Sequence, residues 1–138
     1  MSASKKLSLA VKALYVLDQY DGQPLSSNQI AKELGVNSSK LRRLLSMLVK
    51  SHLIESIQGT SGGFVLKRKP EQIDLQEIYC SVEEKKAFYL DVHEHIGIGS
   101  SSARMNDYFL DLFADVQVVI EDKMRQISLD DVIKKVNT

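Results

Sequence analysis

The chain of 138 residues contains a single cysteine, Cys80. One cysteine allows no intrachain disulfide and no cysteine-based metal cage within one chain. No run of apolar residues reaches the roughly 18 residues that a membrane-spanning helix requires. The lysines near the N-terminus precede an apolar stretch, but Lys12, Asp18 and the lack of a small-residue cleavage site argue against a signal peptide. These absences predict a soluble, cytoplasmic protein of one domain, or of a small domain with an extension.

Groups that carry out catalysis are also missing. The sequence shows no nucleophile–base pair, no phosphate-binding loop and no paired carboxylates, so we expect no enzymatic activity. His93 and His95 flank Glu94 and could bind a metal, although loop or dimer-contact residues are the expected interpretation and we predict no metal. Cys80 falls in a helix that is predicted to be buried, where a single cysteine usually acts as a small apolar residue. A redox switch at Cys80 is the alternative.

Charge is distributed unevenly along the chain, although the formal net charge is zero. Residues 1–70 hold 11 Lys/Arg against 4 Asp/Glu, a net charge of +7, whereas residues 71–138 hold 7 against 14, a net charge of −7. This split predicts a basic half that meets an anion and an acidic half with another task. Chance clustering of solvated charges is the alternative.

Three helices are predicted in the basic half. Apolar spacing from Leu7 to Tyr20 indicates an amphipathic helix, which the glycine and proline of "YDGQP" end. Ser26 or Ser27 caps the second helix, and Gly35 suits a left-handed residue at its C-terminal end. Asn37, Ser38 or Ser39 caps the third helix. The predicted buried face of that third helix consists of Leu41, Leu44, Leu45, Leu48 and Val49.

Two strands follow the third helix. "HLIESI" and "FVLKR" are typical of strands, and "GTSGG" between them supplies glycines for a tight turn. Asp74 then caps a short helix over about 75–82. Residues 1–82 are therefore predicted to form a winged helix-turn-helix DNA-binding domain, in a fold that is mainly α with a small two-stranded β wing.

Residues 83–138 are predicted to form a dimerisation and effector region. "KAFYLDV" fits a strand or a helix, a long helix covers about 103–127, and Ser128 caps a final short helix. The apolar stripe of the long helix exceeds what a small domain can cover, which favours a homodimer over packing within one monomer. The predicted dimer interface consists of Met105, Phe109, Leu112, Phe113, Val116, Val119 and Ile120.

The basic third helix and the wing predict binding to double-stranded DNA. A helix in the major groove reads bases mainly from its N-terminal turns, and arginine can bind guanine in a bidentate manner. The predicted DNA-binding residues are Ser38, Ser39, Lys40, Arg42 and Arg43 on the helix, and Thr60, Ser61, Gly62 and Gly63 on the wing. Lys67, Arg68 and Lys69 are expected to add electrostatic attraction. A winged helix that binds a protein partner and does not read DNA is the alternative.

The motifs from residue 7 to residue 84 resemble those of bacterial transcriptional regulators of the Rrf-two type. The matching positions are Ile30-Ala31, Gly35, Leu41-Arg42-Arg43, Ser56, Gly59, Gly62-Gly63 and 73–82. The tail is similar to that of a cluster-free branch, the YwnA-like regulators. The resemblance implies a sequence-specific repressor that binds an imperfect palindrome as a dimer through its long helix. It leaves room for a small-molecule effector, which the sequence does not identify.

Two departures from the family pattern bear on function. Members that sense iron, nitric oxide or redox state carry three cysteines in the loop before the long helix, whereas this loop reads "DVHEHIGIGSSSARM". An iron–sulfur cluster is therefore not expected, and no cofactor is predicted. His52 stands where the family often has glycine, which is expected to alter the turn into the wing without abolishing the fold.

Overall fold

The computed structural model describes residues 2–84 and 99–138. Within these segments the elements are α1 (Ala3–Gln19), α2 (Ser27–Leu34), α3 (Ser38–Lys50), β1 (Ile54–Ile57), β2 (Gly63–Leu66), a 3-10 turn (Pro70–Gln72), α4 (Leu75–Val82), α5 (Ser101–Arg125) and α6 (Leu129–Val136). The predicted fold class, mainly α with a two-stranded wing, is confirmed. None of the helices in the two described segments is long and apolar enough to cross a membrane.

Side-chain hydrogen bonds at the helix ends fix where the helices of the helix-turn-helix begin. The Ser26 hydroxyl accepts from the Gln29 backbone N–H at 3.1 Å, and the Gln29 side chain accepts from the Ser26 N–H at 2.8 Å, a reciprocal capping box. Gly35 ends α2 with φ of 66°, in the left-handed region. Asn37 then caps α3, since its Oδ1 accepts from the Ser39 N–H at 2.8 Å. Among the predicted alternatives, Ser26 and Asn37 are therefore the caps.

The wing is an antiparallel hairpin that also contacts the chain ahead of α2. Ile54 pairs with Leu66 and Ile57 with Gly63. Leu25 adds an isolated bridge to Phe64. A Cβ on Gly62 would lie 2.0 Å from the Ile57 carbonyl oxygen, and one on Gly63 would lie 2.5 Å from the Leu25 backbone. Both glycines are therefore required by close backbone approach.

A single hydrophobic core joins the N-terminal helices to the C-terminal helix α6. Leu129 and Ile133 of α6 lie in the same cluster as the buried face of α3. The Leu129 N–H donates to the Ile73 carbonyl at 2.7 Å, which holds the start of α6 beside the start of α4. Each fully buried leucine contributes about 1.5–3 kcal/mol. The division of the chain at residue 82 stays a prediction.

Several boundaries differ from the predicted ones for local reasons. α1 begins at Ala3 and not at Leu7, because the Ser2 hydroxyl caps it by accepting from the Lys5 N–H. α5 begins two residues earlier than predicted, since Ser100 caps it, and it ends at Arg125. The "KAFYLDV" segment and the histidines His93 and His95 lie outside the described residues.

The predicted burial of Cys80 is wrong. α4 turns Ile78 and Val82 into the core, and Cys80 is two positions from each of them, about 200° around the helix. Its thiol is therefore exposed. The Gln76 side-chain amide donates to the Cys80 Sγ at 3.3 Å.

Candidate nucleic-acid interface

The first two turns of α3 carry four exposed polar side chains that we call the recognition surface: Ser39, Lys40, Arg42 and Arg43. The leucines of the same two turns, Leu41, Leu44 and Leu45, are buried. Ser38, the fifth predicted contact on this helix, is half-buried. The amphipathic spacing thus fixes a rigid helix whose outer face is basic at its N-terminal end.

The cations of the recognition surface have no carboxylate partner in the described parts of the chain. α3 contains no Asp or Glu, and Lys40, Arg42 and Arg43 form no ion pair there. The Arg42 guanidinium donates to the Ser39 hydroxyl at 3.3 Å, which places these two groups together. The Asn37 side chain is already used as the cap. The surface therefore presents positive charge and donors that are available to an anion.

The wing offers two exposed hydroxyls at its tip. Thr60 and Ser61 are exposed, whereas Gly62 and Gly63 are half-buried and held by the backbone contacts described above. The glycines thus have a structural reason to be glycine that is independent of any ligand. Contact between these four wing residues and DNA stays a prediction.

Arg68 has a structural role that the sequence did not reveal. Its guanidinium pairs with the Glu77 carboxylate at 2.7 Å and also donates to the Gln72 carbonyl. It thereby ties the end of β2 to the 3-10 turn and α4. Of the three basic residues expected to attract DNA after the wing, Lys67 and Lys69 are exposed without such a pair in the described residues, and Arg68 is engaged.

Sequence reasoning missed the basic residues of α1 that border the recognition surface. Lys5 and Lys12 line a shallow groove together with Lys40 of α3. Lys6 lines the neighbouring groove beside Arg43, and its ammonium also pairs with Glu83 at 3.1 Å. The available signal was the position of these lysines on the polar side of an amphipathic helix. The proximity of α1 to α3, however, depends on the tertiary structure.

The apolar stripe predicted on α5 is largely uncovered in the described structure. Gln117 is the one buried residue of this helix. Phe109 stacks on Phe113 with ring centroids 5.7 Å apart. Among the predicted interface residues, Met105, Phe109, Leu112 and Val119 are exposed, and Phe113, Val116 and Ile120 are half-buried. Their place in a dimer interface stays a prediction.

Carboxylates gather where the end of α1 approaches α6. Burial, followed by the negative charges of Asp130, Asp21 and Glu71, raises the pKa of Asp18 above its usual value. The Lys134 ammonium pairs with Asp130 at 2.8 Å, which raises the pKa of that lysine. Carboxylates from both halves of the chain thus meet at a site where like charges oppose folding.

The donor set in the described residues does not fit a cysteine-ligated iron–sulfur cluster. Such clusters are held mainly by several cysteine thiolates, and this chain has one, on α4. Across 2–84 and 99–138, no three His, Cys, Asp or Glu side chains are grouped so that they could hold a metal ion. The two histidines considered for a metal lie outside these segments.

Comparison with known proteins identifies the family. The sequence pattern of the Rrf2 family, described as "Iron-dependent Transcriptional regulator", matches residues 3–135. The chain is 31% identical over 141 residues to the HTH-type regulator YwgB of Bacillus subtilis, spanning 99% of this chain and 86% of YwgB. It is 28% identical to YwnA of the same organism, spanning 94% and 96% of the two chains.

A solved structure agrees with these sequence matches. IscR of T. potens superimposes with a TM-score of 0.70 at 25% identity, over 99% of this chain and 88% of IscR. The recognition helix and wing described above are thus those of a winged helix-turn-helix regulator. The chain belongs to the Rrf2 family of DNA-binding transcriptional regulators.

Proposed function

We propose that this protein is a cytoplasmic homodimeric repressor that binds an imperfect palindrome in double-stranded DNA. The observation that carries the proposal is the recognition surface, whose three cations have no ion pair with any described residue and lie on the first two turns of a helix that the core holds rigidly. DNA affinity comes mostly from cations set against phosphate, and specificity comes from side chains at base edges. The recognition surface supplies both kinds of group.

Each protomer would place α3 in a major groove. Arg42 and Arg43 are suited to bidentate contacts with guanine, and the Ser39 hydroxyl can bond a base edge or a phosphate. Lys40 is assigned to phosphate. Thr60 and Ser61, at the exposed tip of the wing, are assigned to the adjacent backbone or minor groove.

The second protomer is supported by the state of α5. This helix of 25 residues is about 37 Å long at 1.5 Å per residue, and its apolar side chains remain exposed in the described structure. Met105 is 59% exposed and Val119 is 68% exposed. Burying such a stripe against its copy is the usual remedy. Two symmetric α3 helices would then read two half-sites, which makes the operator palindromic.

Regulation is assigned to residues 83–138. The single exposed cysteine argues for a signal other than a cysteine-ligated cluster, and a small-molecule effector is the proposed alternative. Occupation of an operator would repress transcription by excluding polymerase, and effector binding would alter the occupancy.

The test is binding to a selected operator by alanine variants of the recognition surface. Arg42→Ala and Arg43→Ala are each expected to weaken specific binding by roughly 1–3 kcal/mol, or about 5- to 160-fold, with the dimer intact by sedimentation. Lys50→Ala is the matched control, because it removes one exposed positive charge from the last turn of the same helix.

Equal binding by both arginine variants and the wild-type protein would remove α3 from the interface. A wild-type protein that selects no motif and shows no salt-dependent DNA affinity would favour a winged-helix adaptor that binds a protein partner.

A further inference from the structure

Two shallow grooves meet at the start of α3. One is lined by Lys40 and Arg43 of α3 together with Lys6. The other is lined by Lys5, Ser8 and Lys12 of α1 and again by Lys40. Because Lys40 belongs to both grooves, the cationic surface continues from the recognition surface onto α1.

Three of the polar residues of α1 that line the second groove share one face of the helix. Lys5, Ser8 and Lys12 are spaced by three and four residues, so they lie within about 60° of each other around the axis. All three are exposed, and neither lysine forms an ion pair within the described segments. Lys6, one position away, differs because Glu83 neutralises it.

The position of these charges opposes the helix dipoles. The N-terminal end of a helix carries partial positive charge, which favours Asp or Glu in the first turn and disfavours lysine. The first turns of α1 and α3 contain no acidic residue but hold Lys5 and Lys40. α6 of the same chain follows the rule, with Asp130 and Asp131 in its first turn. An external anion would offset the unfavourable arrangement at α1 and α3.

We propose that Lys5, Ser8 and Lys12 form a second phosphate-binding face, which holds the DNA backbone flanking the half-site read by α3. The inference rests on the proposed function and extends the proposed contact with DNA from α3 and the wing to α1. The two lysines are seven positions apart, a rise of about 10.5 Å, so together they can reach neighbouring phosphates of one strand. The lysines supply charge, and the Ser8 hydroxyl donates to a phosphate oxygen.

The double variant Lys5→Ala/Lys12→Ala tests this face. It is expected to weaken binding to specific and to random duplexes by the same factor, because phosphate contacts carry no sequence information. The salt slope should fall by about 0.9 for each lost contact, and so by up to about 3.6 in a dimer. The difference from wild type should then shrink by as much as about 100-fold between 50 and 200 mM salt.

Two controls locate the effect. Lys123→Ala/Lys135→Ala removes the same number of exposed charges from α5 and α6 and should leave the salt slope near that of the wild type. A duplex trimmed to the two half-sites lacks the flanking phosphates, so wild type and the α1 double variant should bind it with nearly equal affinity.

Three results would overturn the inference. The first is a Lys5→Ala/Lys12→Ala variant whose affinity and salt slope equal those of the control variant, while the wild-type protein binds DNA with a steep salt dependence. That result would reject the phosphate-binding face on α1 and leave the proposed function standing. The second is loss of the dimer on sedimentation, which would make this face a contact between protein copies. The third is a wild-type protein that binds no duplex, which rejects the proposed function together with the inference.

Discussion

His52 gives the sharpest test of how the turn between α3 and the wing is built. It follows α3 with φ of 61°, a left-handed conformation that glycine adopts freely and other residues do not. The His52 N–H donates to the Val49 carbonyl at 3.0 Å, and the Leu53 N–H donates to the Leu48 carbonyl at 3.1 Å. This is the Schellman pattern, which usually places glycine at the left-handed position. The chain thus keeps the turn and accepts strain in a side-chain-bearing residue.

His52→Gly is expected to stabilise the fold. Relief of the left-handed strain is worth about 1–2 kcal/mol, and the extra entropy of glycine in the unfolded chain takes back about 0.5–1 kcal/mol. The net gain is roughly 0.5–1 kcal/mol. Unfolding entropy of about 2.1 cal/mol/K per residue converts this to a rise in Tm of roughly 2–3 °C. Thermal unfolding followed by circular dichroism at a fixed protein concentration measures it.

Gly35 supplies the reciprocal experiment within the same helix-turn-helix. It ends α2 at φ of 66°, with the Val36 N–H bonded to the Ala31 carbonyl at 3.0 Å. A Cβ there would meet nothing within 4 Å, so Gly35→Ala probes backbone strain without a clash. It should lower stability by roughly 0.5–1 kcal/mol, because about 1–2 kcal/mol of left-handed strain outweighs the about 0.5–1 kcal/mol gained from the lower entropy of alanine in the unfolded chain.

The reasoning fails if His52→Gly is no more stable than wild type while Gly35→Ala is neutral. His52→Ala separates backbone from side chain, since alanine keeps the strain and should give no gain. An equal gain from His52→Ala and His52→Gly would show that loss of the imidazole, and not relief of the backbone, is the cause.

Two further predictions concern α5 and the acidic cluster. Self-association should weaken about 100-fold or more in each of the variants Phe109→Asp, Leu112→Asp and Val116→Asp. The reason is that a dimer buries two copies of each side chain, and burying one copy is worth about 1.5–3 kcal/mol. Variants that sediment as folded dimers would show that the interface lies elsewhere. Asp18→Asn should raise stability at neutral pH, since burial and neighbouring carboxylates raise the pKa of Asp18 in the folded state and its ionisation therefore opposes folding. The advantage should fade as pH falls through that raised pKa towards the usual 3.8, and an advantage independent of pH would refute this cause.

Features that depend on neighbours in sequence were predictable. Asp74 and Ser128 cap α4 and α6 as expected, because a cap bonds to backbone only three residues away. The buried face of α3 followed from leucines at helical spacing, although Val49 is only half-buried. The basic outer face of α3 followed from the same spacing. The family motifs consist of the same local patterns, and the family pattern matches residues 3–135, as the resemblance predicted.

Features that depend on partners distant in the chain were decided by the tertiary structure. The sequence by itself could not show that Glu77 neutralises Arg68, or that Lys5 and Lys12 lie beside Lys40. The exposure of Cys80, by contrast, was readable from helical spacing, since Cys80 lies about 200° around α4 from the apolar positions Ile78 and Val82. The helices, their caps and the recognition surface were thus determined locally. The pairing of charges and the extent of the cationic surface arise only when packing brings separate helices together.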